Sequence, residues 1–237
     1  MPLQRPIASL LASDASGIPF QVKVSVVPMT KALARQWHET VQPIVDNHYS
    51  HEGFASQKVR ADVGWRWPNY LKLVAIHNYL TRMPGNASEK GKAMCVVVSK
   101  GEQKFPIGML SLVPKLHCNV QGVERQRAFT WYLSDAPAEL YEQFLRQPTI
   151  RGVAKALIDC TIQAALDEGD DGALLLHADP NGGRKLVDFY TSSCKMRRLS
   201  PKNGIVTAIW RRRRPDEYFH FTGADAQAFS ALYDHRR

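Results

Sequence analysis

The chain of 237 residues has only four cysteines, Cys95, Cys118, Cys160 and Cys194, and no two of them form a C-x-x-C pair. That spacing argues against a zinc knuckle and a thioredoxin-like redox motif, and it reads as reduced thiols filling a core. Long apolar runs are also missing. No stretch approaches the roughly 20 apolar residues that span a bilayer, and the first thirty residues lack a basic segment followed by an apolar one. The expectation is a soluble, cytoplasmic protein. No segment repeats, which sets solenoids aside. Negative charge is the scarcer sign: 22 Asp and Glu stand against 31 Lys and Arg, a formal charge of +9. The excess is local, since residues 195–237 hold ten Lys and Arg against four Asp and Glu. A field of this sign favours anionic partners, whether nucleic acid, an acidic protein or a phosphate-bearing cofactor; a solvated basic face accounts for it as well.

What is present is an ordinary globular balance, 44% hydrophobic and 22% charged. Residues 1–19 mix Pro, Ser, Ala and Gly without a period and read as a loose arm. In "FQVKVSVVP" the apolar Phe20, Val22, Val24 and Val26 alternate with polar residues, which predicts one strand with one buried face. Leu33, Ala34, Trp37, Val41, Ile44 and Val45 then recur at helical spacing behind a Thr30 N-cap, and Pro43 should kink or end that helix. After the polar loop "DNHYSHEGF" comes a helical insertion over about residues 50–90, with a helix predicted from Pro68 to Arg82. "AMCVVVS" and "FPIGMLSLVP" form a hairpin about Lys100–Lys104, and "RAFTWYLSD" a third strand. A short helix at 137–146 leads to an alanine-rich one ending at Gly169, then the apolar strand "GALLLHAD", the helix "GRKLVDFYTSSC", the strand "GIVTAIW" and a last amphipathic piece. Residues 20–212 thus read as one α+β domain, a mixed sheet with helices packed on it, followed by a basic extension at 213–237.

The alanine-rich helix opens on an unusual stretch, Arg151, Gly152, Val153, Ala154, Lys155 and Ala156. A helix N-terminus presents unpaired N–H groups and about half a positive charge, which suits an anion. Small side chains let a phosphate approach, and Arg151 and Lys155 add cations. On this stretch alone, good helix formers behind a chance Arg-Gly pair are the favoured explanation.

In its order of elements, and in this loop, the chain resembles the GCN5-related N-acetyltransferase (GNAT) family, over roughly residues 20–40 and 92–212. A Q/R-x-x-G-x-G/A loop there binds the pyrophosphate of acetyl-CoA, and residues 151–156 match it with Ala154 in place of a glycine. The resemblance implies a central mixed sheet flanked by helices, acetyl-CoA or another acyl-CoA as cofactor, and acyl transfer to an amine on a small molecule, a protein or a nucleic-acid base. It implies that a backbone N–H in "TWYL" polarises the thioester carbonyl, which places Trp131, Tyr132 and Leu133 at the cofactor. Gly183, Leu186 and Tyr190 fall on the family's Asn, Ala and Tyr positions, with Cys194-Lys195 where Gly-Phe is usual; Tyr190 then becomes the candidate general acid.

For the base, His177 near the end of the buried strand competes with His48, Tyr49, His51 and Glu52 in the loop after the first helix. A further resemblance links "NHYS", Asn47 to Ser50, to Mom-like phage proteins that modify adenine in DNA. That reading implies DNA as partner, with Arg211, Arg212, Arg213 and Arg214 neutralising phosphates and Trp65, Trp67 or Tyr70 stacking on an extruded base. A non-catalytic binding protein on a degenerate version of the fold is the remaining alternative. No metal site is expected.

Overall fold

The computed structural model describes residues 3–14, 16–54, 58–83, 88–203 and 217–237. The alternating stretch expected as one strand divides at Val24. Its first half, β2 (Pro19–Lys23), pairs antiparallel with β1 (Ser9–Ser13), whereas β3 (Ser25–Pro28) joins the edge of the main sheet. Alternation specifies which face of a strand is buried; it does not specify the neighbouring strand. Residues 3–14, part of the stretch expected as a loose arm, are held in place instead. Leu3, Ile7, Leu10 and Ala12 are buried, and the Arg151 N–H donates to the Leu11 carbonyl at 2.7 Å. Their apolar positions follow no period, so the segment reads as loop until the surface it packs on is known.

Thr30 caps α1 (Lys31–Gln36), its hydroxyl accepting from the Leu33 N–H at 3.2 Å. Ahead of Pro43 the helix shifts register through a π-helical segment, Trp37–Val41, into α2 (Gln42–His48). Pro43, which has no N–H to donate, thus lies just after the π-helical turn, where the register change accommodates it within a continuous helix. The insertion begins with the short parallel pair β4 (Tyr49–Ser50) and β5 (Lys58–Val59) and continues into α3 (Trp67–Leu80). β6 (Lys92–Lys100) and β7 (Gln103–Val120) form the expected hairpin about a tighter turn, and β8 (Val123–Asp135) starts earlier than the sequence pattern suggests.

α4 (Ala138–Leu140) passes into a π-helical segment, Tyr141–Leu145; then follow α5 (Val153–Asp167), β9 (Leu174–His177) and α6 (Gly183–Asp188), which continues as a π-helical segment, Phe189–Ser193. The short β10 (Arg197–Arg198) comes next. The strand expected at "GIVTAIW" lies outside the described residues. The segment from 213, read as an extension, supplies β11 (Tyr218–Phe221) to the sheet and then α7 (Gly223–Ala231). All four β11 residues are buried, so no alternation marked it as a strand.

Among the described residues the main sheet has the order β10-β11-β9-β8-β7-β6-β3, with β8 and β9 running parallel. α5 packs on β7 and β8 and is itself covered by α7. The four cysteines are free and buried. Arg237 closes over this layer: its Nη2 donates to Asp159 Oδ1 on α5 at 2.8 Å, and the Ser230 hydroxyl of α7 donates to the same oxygen at 2.5 Å. No helix among the described residues is long and apolar enough to cross a membrane.

Candidate active site

β8 pairs with β9 at three positions only, Ala128 to Thr130 against Leu174 to Leu176, although β8 runs on to Asp135. Pairing stops where β8 carries an extra residue. Ser111 of β7 faces Tyr132 and Leu112 faces Thr130, so the register shifts by one residue at Trp131. A bulge bends its strand and increases the local twist, and here the bend coincides with the parting of β8 from β9. A cavity of about 300 Å³ opens between them. Trp131, Tyr132, Leu133 and Asp135 form its β8 wall, with Leu176 and His177 opposite; Phe189 and Tyr190 approach from the end of α6. The insertion closes the remaining side with Arg60, Asp62 and Trp65.

The start of α5 opens onto this cavity, because Ala154 in its first turn is part of the lining. Gly152 precedes the helix at φ +84°, a left-handed conformation that explains a glycine rather than a side-chain cap. The first backbone bond runs from the Ala156 N–H to the Gly152 carbonyl at 2.9 Å, so the amides of Val153, Ala154 and Lys155 lie before the helical ladder begins. Arg151 and Gly152 are exposed, Lys155 is half-buried, and Val153 and Ala156 are buried against the sheet.

Tyr190 sits in the π-helical segment after α6 and lines the cavity. Burial holds its phenol well above the usual range. Its hydroxyl has no hydrogen-bond partner among the described residues. His177 also lines the cavity, and its Nε2 lies 2.9 Å from Glu217 Oε2, a partner not foreseen from the sequence. The other residues considered for the base lie outside this lining. His48 is exposed at the end of α2. Tyr49 is buried and donates to Glu139 Oε2 at 2.8 Å; burial and that carboxylate push its phenol up to about 12. The His51 ring is 3.2 Å from the Val63 carbonyl. Glu52 accepts from the Arg184 N–H at 3.3 Å and borders a second, smaller cavity. Arg211, Arg212, Arg213 and Arg214 lie outside the described residues.

The charged cluster at the insertion side was not anticipated. Arg60 donates from Nε and Nη2 to the two Asp62 carboxylate oxygens, each at 2.8 Å, and from Nη2 to the Asp135 carbonyl at 2.7 Å and to Asp135 Oδ1 at 3.3 Å. The Ser134 hydroxyl donates to Asp62 as well. Gln42 and Asp46 of α2 fasten this loop: the Gln42 amide donates to the Asp62 carbonyl at 2.8 Å, and Asp46 Oδ1 accepts from the Gly64 N–H at 2.8 Å. Burial alone would raise the Asp62 carboxyl, but the Arg60 fork and the Ser134 hydroxyl outweigh it and hold it below the usual carboxylate range. The Asp135 side chain is 41% exposed, ringed by protein and open to the cavity. Its carboxyl is raised by burial, with Asp62 adding to the effect and Arg60 opposing it. Above this cluster, Tyr70 stacks on Tyr132 with centroids 3.9 Å apart, and Trp65 meets Tyr132 edge to face at 5.3 Å. Arg60 and Asp135 are 75 residues apart, so no local pattern joins them.

No family model matches the sequence, and no curated protein matches it. Solved structures do. The chain is similar in fold to acetyltransferases of the GNAT family. One from Staphylococcus aureus Mu50 shares 11% identity over 83% of this chain and 97% of that one, at a TM-score of 0.47. A KacTA–DNA complex shares 12% over 89% of this chain and 99% of that one, at 0.46. A mutant AtaT toxin bound to acetyl-CoA and to the C-terminus of the antitoxin AtaR shares 12% over 89% and 98%, at 0.42.

Proposed function

We propose that this chain is an acyl-CoA-dependent N-acyltransferase that passes an acyl group, acetyl in the simplest case, from the thioester to an amine. The observation that carries this reading is the cavity opened by the β8 bulge, onto which the small-residue start of α5 and the Tyr190 phenol both face. The residues present suit the cofactor. Amides ahead of the α5 ladder, a side chain no larger than a methyl at Ala154, and the cations of Arg151 and Lys155 match a pyrophosphate at a helix mouth. The edge of β8 beyond Thr130, released from β9, offers main-chain donors to a thioester carbonyl.

Bound there, acyl-CoA supplies an activated acyl carbon. The acceptor ammonium gives up one proton to a base in the lining, for which His177 and Asp135 are placed, and its nitrogen then bonds to that carbon. As the carbon–sulfur bond breaks, Tyr190 Oη–H donates a proton to the departing sulfur and regains one from the newly bonded nitrogen. The products are an amide, free thiol and one proton on the base. A buried phenol held above its usual range keeps its proton until the thiolate forms, which suits an acid of this kind.

Isothermal titration with acetyl-CoA tests the reading. The native protein should bind, and Ala154→Trp, which fills the lining beside the helix mouth, should weaken binding about tenfold or more without lowering the thermal midpoint. Failure of the native protein to bind acetyl-CoA would refute the proposal.

A further inference from the structure

We infer that the insertion side of the cavity is the acceptor site and that it takes a primary ammonium carried on a flat, apolar body, with Asp135 facing the cation and Trp65 and Tyr132 facing the body. The inference rests on the acyltransferase reading for its purpose and on separate residues for its evidence. Arg60 is one cation between two carboxylates, and its fork is committed to Asp62 through two 2.8 Å bonds. From Arg60, Asp135 receives a shared 3.3 Å contact through the same Nη2, which also serves the Asp135 carbonyl at 2.7 Å. The cluster therefore sets two carboxyl groups against one guanidinium, and the surplus acid is the one open to the cavity.

The other charges on the lining do not cancel it. Asp179 adds a second carboxylate, one oxygen of which accepts from the Asn181 N–H, while Lys185 is exposed on α6. An anionic acceptor would meet repulsion at Asp135, whereas an ammonium would complete a pair in a site of reduced dielectric. The aromatic wall sets the second requirement. Trp65, Tyr70 and Tyr132 brace one another edge to face and by stacking, and Trp65 and Tyr132 line the cavity. A rigid wall of this kind favours a planar partner and attracts a nearby cation through its ring faces.

The test uses two probes with the same ring and opposite charge. In calorimetric titrations of the full chain, tryptamine should bind at least about tenfold more tightly than indole-3-propionate, a difference that shrinks as salt is raised. Asp135→Asn should remove most of that preference while leaving indole-3-propionate no weaker. Tryptamine binding that is equal or weaker, or absent, overturns the inference, as does an Asp135→Asn protein that keeps the preference. The comparison of the two probes on the native chain needs no variant, so a poorly folding Asp135→Asn leaves it decisive. The two readings fail separately. Tryptamine preference without acetyl-CoA binding refutes acyl transfer and leaves the ammonium site standing; acetyl-CoA binding without the preference refutes the ammonium site alone.

Discussion

Gly108 of β7 lies beneath the first turn of α5, and replacing it with alanine should disturb both stability and cofactor binding. A Cβ at this position would stand 2.6 Å from Val153 Cγ1, 3.2 Å from Leu157 Cδ1 and 3.3 Å from Val96 Cβ. Val153 is the first residue of α5 and 2% exposed. Being β-branched, it has one strongly favoured rotamer in a helix and cannot swing aside, so the contact is relieved by lifting the helix start. Extra volume in a packed core costs about 1–3 kcal/mol. At roughly 2–4 °C per kcal/mol for a chain of this size, Gly108→Ala should lower the thermal midpoint by about 2–12 °C. The same turn carries Ala154 and the open amides, so acetyl-CoA should bind more weakly too. Val153→Ala removes the clashing methyls. It should destabilise the native protein but cost less, or even help, in the Gly108→Ala background. Scanning calorimetry of the four proteins of this cycle should give a coupling of about 0.5–3 kcal/mol, with acetyl-CoA titration following the same order. A midpoint for Gly108→Ala within about 1 °C of native, or an identical Val153→Ala cost in both backgrounds, would show that this contact does not set the position of α5.

Two further expectations concern buried charge. Asp159 is 1% exposed, its Oδ2 has no partner among the described residues, and burial raises its carboxyl despite Arg237. Arg237→Ala should therefore cost about 3–5 kcal/mol in urea unfolding, with part regained in Arg237→Ala/Asp159→Asn; a loss under about 1 kcal/mol would contradict the pairing. Asp62 titrates in the opposite sense. Because its folded carboxyl is held below the usual range, its contribution is complete above the ordinary carboxylate pKa near about 4 and is lost as pH falls through the lowered value. Thermal midpoints between about pH 5 and pH 3 should fall more steeply for the native chain than for Asp62→Asn, and parallel curves would rule Asp62 out as a source of acid sensitivity.

The legible parts of this molecule are those whose causes are local. Thr30 caps α1 because a hydroxyl can satisfy an N–H three residues on, and the hairpin follows from two apolar runs about a polar turn. The Arg151-Gly152 start of α5 was legible for a related reason: a positive φ at one position selects glycine whatever surrounds it. Elements without such local causes were misread. β11 is buried on every residue and carries no alternation, and the N-terminal segment earns its order from a bridge to Arg151 ahead of α5 and from the pairing of β1 with β2.

The candidate site shows the same division. Tyr190, His177, Trp131 to Leu133 and Ala154 were named from the sequence, and the tertiary structure brings them to one cavity. His48, Tyr49 and Glu52 share a stretch of chain with each other but not that lining. The Arg60–Asp62–Ser134–Asp135 cluster gave no signal, because its members come from an insertion and a strand that meet only after folding. By itself the sequence determined helix starts, the hairpin, the balance of charge and the glycine-led opening of α5, since each depends on residues within a turn or two of one another. Only the tertiary structure decided that a bulge at Trp131 parts β8 from β9 and that Asp135 is left facing the opening. Strand separation and the sharing of one guanidinium between two carboxylates depend on which distant segments come to lie side by side.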